Sequence, residues 1–213
     1  MKNEENFVAS QYRRIVVLDI ETVTLDPVNP KGALDALTGR IVCVGLLFDD
    51  GKTQVEQALL EEDERDLLVK IWGLLKPTDA IVGHNVLEFD LPFIRQRSWI
   101  QNIRPSRAVD LRKFYTVDVI DTMQLWTNWG FKKGVSLDNL AQALGMGQKT
   151  GHGTDVAHWW AGREFESIKK YCMEDVRLTH RVYQRLTYQL PMNTLPTNVA
   201  APSAAEGPAA AAA

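Results

Sequence analysis

Cysteine is scarce: Cys43 and Cys172 are the only two in 213 residues, and no C-x-x-C spacing exists from which to build a zinc or disulfide framework. Cys43 lies in an apolar run and Cys172 in a helical pattern, so both read as small core residues in a reducing compartment. Long hydrophobic runs are missing as well. No stretch reaches the ~20 apolar residues of a membrane-spanning helix. The N-terminal "MKNEENFVASQYRR" is polar, without the apolar segment of a signal peptide. The expected location is the cytoplasm, with no membrane partner. Charge of one sign is also lacking: 24 Lys and Arg stand against 27 Asp and Glu, a net charge of -3. That excludes a histone-like binder held by positive charge alone. It does not exclude nucleic acid, because a carboxylate centre lowers the count and bound metal ions reverse its local sign. No internal repeat is visible.

What is present is enough apolar residue, 45% of the chain, for one domain with a real core. "RRIVVLDI", "RIVCVGLLFDD" and "KTQVEQALL" read as strands, with "DDGK" as a hairpin turn between the last two. "EEDERDLLVKIWGLLKP" reads as an amphipathic helix, with Leu67, Leu68, Ile71, Leu74 and Leu75 as its apolar face and Pro77 closing it. "DAIVGHN" reads as a short strand, "FDLPFIRQRSWIQN" as a helix, and a strand is expected near "RAVDL". The remainder is mostly helical, ending in a long helix over "REFESIKKYCMEDVRLTHRVYQRLTYQL" that Pro191 stops. The organisation is a polar segment over residues 1–12, a domain over 13–191 and a Pro/Ala-rich disordered tail over 192–213. Three strands followed by alternating strands and helices make a mixed-sheet α/β domain.

Acids recur where the apolar pattern does not call for them. Asp19 and Glu21 end the first strand, and residues i and i+2 of a strand point to one face. Either they form a strand-end turn or both carboxylates reach one point. Asp90 caps a helix, or joins them. Asp175 falls in the stripe Ile168, Tyr171, Asp175, Leu178, Val182 of the long helix. It is either at the exposed edge of that stripe or buried, and a buried acid needs a cation. Hard oxygen donors without a Cys or His set suit Mg2+ or Mn2+ rather than zinc.

In order, "LDIET", "GHNVLEFDLPFI" and "YCMEDV" resemble the three exonuclease motifs of DEDD-class (DnaQ-like) 3'-5' exonucleases. The Tyr171–Asp175 spacing is that of the Tyr subclass (DEDDy); the position where a His-subclass member carries histidine is Lys170. The sequence looks most like the exonuclease domain of family B DNA polymerases, as a stand-alone domain without palm or thumb. The resemblance implies a ribonuclease H-like fold with a five-stranded mixed sheet flanked by helices. It also implies two Mg2+ or Mn2+ ions held by Asp19, Glu21, Asp90 and Asp175. Asp19 would bridge both ions, Glu21 and Asp175 would complete the one that activates water, and Asp90 would act largely through water on the second. Tyr171 would orient the attacking water.

The expected activity is metal-dependent 3'-5' exonucleolytic hydrolysis of phosphodiesters, on single-stranded DNA or RNA, in proofreading in trans, DNA repair or RNA processing. The alternative is a catalytically weak nuclease fold that binds nucleic acid or a partner protein. The oligomeric state is open. Candidate substrate contacts are Thr22, Leu25, His84, Asn85 and Phe93. Phe89 reads as core. Lys132, Lys133, Lys149 and His152, in Gly-rich loops, could track phosphates or be solvated. Asp121 reads as a helix N-cap with a supporting role.

Overall fold

The computed structural model describes residues 14–26, 28–115, 117–130, 134–147, 153 and 155–190. The N-terminal segment, Pro191, the tail, and Lys132, Lys133, Lys149 and His152 lie outside the described residues.

Five strands form one sheet in the order β3-β2-β1-β4-β5. These are β1 (Ile15–Thr24), β2 (Gly39–Asp49), β3 (Gln54–Leu60), β4 (Ala80–Gly83) and β5 (Val119–Asp121). β1, β2 and β3 pair antiparallel, whereas β1 with β4 and β4 with β5 pair parallel. Two-residue alternation along β1 divides the core between the faces of the sheet. Val16, Leu18 and Ile20 join the main cluster beneath α1 (Glu64–Leu75) and α2 (Asp90–Ile100). Ile15 and Val17 join the cluster against α6 (Phe165–Leu186), the helix that follows the short α3 (Thr122–Thr127), α4 (Leu137–Ala143) and α5 (Asp155–Ala161). Asp19 and Glu21 continue that second series, so their place on the α6 face follows from the alternation itself.

Helix α6 is the longest element, and its buried stripe includes Ile168, Tyr171, Cys172, Asp175, Val176 and Val182. It can lie close to the sheet because Gly45, the partner of Asp19 across the strand pair, has no side chain. A Cβ there would stand 2.7 Å from Val176 Cγ2 and 3.0 Å from Cys172 Sγ. Arg177 pairs with Glu56 of β3, and the buried His180 ring contacts Asp49 of β2 at 2.9 Å. These contacts fix the register of the helix against the sheet edge.

The expected strand near "RAVDL" does not form. Residues 107–111 are irregular, and the fifth strand is Val119–Asp121. Arg107 donates to Thr78 O at 2.6 Å, and Arg112 folds back onto Asp110. Val109 and Leu111 pack on the main cluster from this loop, so their apolar character reflects packing without strand geometry. No helix of the described residues is long and apolar enough to cross a membrane.

Candidate active site

β1 carries Asp19 and Glu21 to its C-terminal half, where the pairing with β2 slips between Glu21 and Thr22 and passes over Val42. Such a bulge bends the strand and re-aims the residues beside it. Glu21 is buried and Asp19 half-buried. One ligand atom each from Asp19, Glu21 and Cys172 lie within 4.8 Å of one another. Cys172 Sγ donates to Asp19 O at 3.5 Å and stands 3.7 Å from Asp19 Oδ2. Cys172 is a core residue as expected, but it also touches the acid cluster, which a helical pattern in sequence gave no means of seeing. Its thiol is pushed up by burial first, then by Cys43, Asp19 and Glu21, so it stays protonated.

Asp90 is the first residue of α2 and is only 3% exposed. Its Oδ1 accepts the Ile20 N–H at 3.1 Å, which ties α2 to β1 between Asp19 and Glu21. Burial drives its carboxyl up to about 7, and the nearby charges of Asp121 and Asp175 push the same way against the Ile20 hydrogen bond. Asp175 is 6% exposed, so of its two sequence readings the buried one holds. Tyr171 lies one turn before it on α6, its ring 5.9 Å from that of Trp159. The Tyr171 phenol is raised, by burial first and then by Asp175, Glu21 and Asp19. Residue 153 passes over it: a Cβ on Gly153 would lie 3.7 Å from Tyr171 Oη. Asp19, Glu21, Asp90, Tyr171 and Asp175, from three separated segments, therefore share one electrostatic neighbourhood.

The turn after β4 completes the rim. Asn85 has a φ of 63°, a left-handed conformation that Asn tolerates better than most residues. Its Oδ1 is buried with no hydrogen-bond partner among the described residues. Asp121 caps α3 (Thr122–Thr127), accepting from Met123 N at 2.9 Å and Gln124 N at 3.3 Å. It also accepts from Asn85 N at 2.9 Å and Leu87 N at 3.0 Å. One carboxylate thus sets both the turn that leads to Asp90 and the start of α3. His84 is engaged on both ring nitrogens: Nε2 donates to Val135 O at 2.8 Å, and Nδ1 meets Thr122 Oγ1 at 2.9 Å. Thr22 Oγ1 donates to Ala33 O at 2.7 Å. Leu25 is exposed on the rim. Phe93 is only 2% exposed and belongs to the main core, so its burial does not fit the expected substrate contact; Phe89, read as core, packs against that same cluster while staying partly exposed.

Behind the rim, a buried ion pair holds residues 36–41 in place. Arg97 binds Glu64 through Nε and Nη2 at 2.9 and 2.5 Å and donates to Ala36 O at 2.8 Å. Glu64 also accepts Ile41 N at 2.8 Å. Nothing in the spacing of residues 64 and 97 announced this pair.

The donor set fits a hard divalent cation. Its oxygens are carboxylates, and acids crowded together in low dielectric need positive charge among them. The raised Asp90 records that need.

A family model described as a predicted 3'-5' exonuclease related to the exonuclease domain of PolB matches residues 34–195. Asp90, Tyr171 and Asp175 fall inside that stretch, and Asp19 and Glu21 precede it. Among solved structures, the chain is similar to the family B DNA polymerase from the hyperthermophilic archaeon Pyrobaculum calidifontis, with a TM-score of 0.66 and 22% identity. The match covers 81% of this chain and 24% of the polymerase. At that identity the likeness shows the fold, and the ribonuclease H-like mixed sheet is as expected. No curated protein matches.

Proposed function

This chain belongs to the family of predicted 3'-5' exonucleases related to the exonuclease domain of PolB, and from that premise we propose that it hydrolyses phosphodiester bonds at the 3' end of nucleic acid, with single-stranded DNA favoured and RNA accepted. The observation that carries the proposal is the convergence of Asp19 and Glu21 on β1, Asp90 on α2 and Asp175 on α6, with Tyr171 one turn from Asp175.

In this reading Asp19, Glu21, Asp90 and Asp175 would hold two Mg2+ or Mn2+ ions. When bound, such a pair lowers the pKa of water and stabilises the departing 3'-oxygen in an in-line displacement. Tyr171 cannot act as a base near neutral pH, because burial and three acids hold its phenol protonated. Its O–H and lone pairs are suited to fixing the direction of the attacking water. Asn85, in the turn held by Asp121, is the candidate contact for the terminal sugar. Leu25 and Phe89 supply apolar surface for the last bases. Thr22 and His84, engaged with the framework, position the rim; Lys132 and Lys133, outside the described residues, stay phosphate-contact candidates on their charge alone.

The test is a 5'-labelled single strand, DNA and RNA in parallel, with Mg2+ or Mn2+. A stepwise ladder from the 3' end that vanishes in Asp19→Ala is expected. Equal ladders from wild type and variant would overturn the assignment, and cuts in mid-strand would make the enzyme an endonuclease.

A further inference from the structure

Away from the carboxylates, residues 95–118 hold six basic residues and two acids in a chain whose net charge is -3. Arg95, Arg104 and Arg107 line a cavity of about 340 Å³ against Trp72, Leu91 and Leu111. Arg95 and Leu111 also line a wider groove of about 560 Å³ that continues to Arg112. The two form one trough with four arginines along it; Arg107 is held by Thr78 and Asp118 and Arg112 by Asp110, and with both acids in the groove wall a surplus of two positive charges remains. Arg95 Nε is buried without a hydrogen-bond partner among the described residues.

Aromatic rings flank the trough. The Arg95 guanidinium lies 5.3 Å from the Trp99 ring, and that of Arg112 lies 5.0 Å from Tyr115. Phe114 is 65% exposed, yet its ring packs 5.2 Å from Trp129. Both residues hold a positive φ, 66° and 60°, which is uncommon for large side chains. Trp129 closes the end of α3, whose cap Asp121 lies beside Asp90. The six residues of α3 span about 9 Å at helical rise, the length of roughly two to three stacked nucleotides at about 3.4 Å each.

We propose that this arginine-lined trough and the Phe114–Trp129 platform form a track for single-stranded nucleic acid, holding phosphates and bases several nucleotides 5' of the reacting end. The inference rests on the nuclease reading. A small anion needs one cationic pocket, and an apolar peptide needs no row of guanidiniums. A polyanion carrying flat bases uses both features at once.

Fluorescence anisotropy of labelled oligothymidylate in EDTA tests it, with a four-nucleotide and a sixteen-nucleotide strand on the full chain. The wild type should bind the longer strand at least about tenfold more tightly. Arg112→Ala and Phe114→Ala, both at exposed positions, should each weaken the longer strand severalfold and leave the shorter one unchanged. Arg112→Ala should also reduce the salt slope by about one phosphate contact. Equal affinity for the two lengths, no effect of either variant, or equal losses at both lengths would overturn the track. Poly-glutamate that competes as well as the oligonucleotide would also overturn it, in favour of an acidic protein partner. Binding of this pattern without cleavage in Mn2+ would leave the track standing and remove the nuclease reading instead. Cleavage of the short strand without a length effect would do the reverse.

Discussion

Replacing Asp90 by Asn should make the metal-free protein more stable at neutral pH. Asp90 is buried, and its carboxyl is pushed from 3.8 up to about 7, by burial first and then by Asp121 and Asp175. A folded-state pKa above the unfolded value means that the carboxyl contributes fully below about pH 4, and that this contribution is lost as the pH rises through about 7. At 1.36 kcal/mol per pKa step, the rise sets a ceiling of about 4 kcal/mol. Asn would relieve the charge but keep a side-chain oxygen to accept the Ile20 N–H, so about 1–4 kcal/mol should be recovered. In a chain of this size each kcal/mol moves Tm by roughly 2–4 °C. Thermal melts in EDTA from pH 4 to pH 8 should therefore show the two proteins together at the acid end and the Asn variant several degrees higher at pH 8. Adding Mn2+ at pH 8 should stabilise the wild type far more than the variant. A variant that melts below wild type at pH 8 in EDTA, or a gap that does not change with pH, would refute the reasoning.

The packing of α6 makes a second prediction. Gly45→Ala should cost about 1–3 kcal/mol, as overpacking does, because the new methyl meets Val176 and Cys172; urea melts measure it, and nuclease activity should fall as the helix carrying Asp175 is displaced. Tyr171→Phe should keep Mn2+ affinity within about twofold by calorimetry while single-turnover cleavage falls by roughly tenfold or more. A metal affinity that falls as far as in Asp175→Ala would make Tyr171 part of the ion site instead. Arg97→Ala should destabilise by about 3–5 kcal/mol by leaving Glu64 charged and buried, whereas an Arg97→Met, Glu64→Leu double variant should recover much of the loss in the same urea melts.

The parts of the molecule with a strong period were legible in the sequence. β1 alternates and α6 repeats at three and four, so the first strand of the sheet and the helical stripe that contains Asp175 could be reasoned from spacing, though not which of the two readings of Asp175 holds. Helix α2 shows the limit of such reasoning. Asp90, Phe93, Ile94 and Arg97 fall on one face of it and are all buried, with Phe89, just before the helix, packed on Phe93. A close look at the period would have placed Phe93 inside. The "RAVDL" stretch misled because apolar residues in a loop pinned by arginine resemble a short strand. Glu64–Arg97, Cys172 beside Asp19, and the Asn85 and Leu87 N–H groups on Asp121 join residues far apart in the chain. Only the fold reveals such contacts, because no local pattern encodes them.

The central claim is that Asp19, Glu21, Asp90 and Asp175 form one binuclear metal centre. Anomalous diffraction from Mn2+-soaked crystals tests it most directly. Two peaks about 4 Å apart, bounded by those four carboxylates and lost in Asp19→Ala, are predicted. No peak among them, or manganese bound elsewhere with the four acids untouched, would contradict the account.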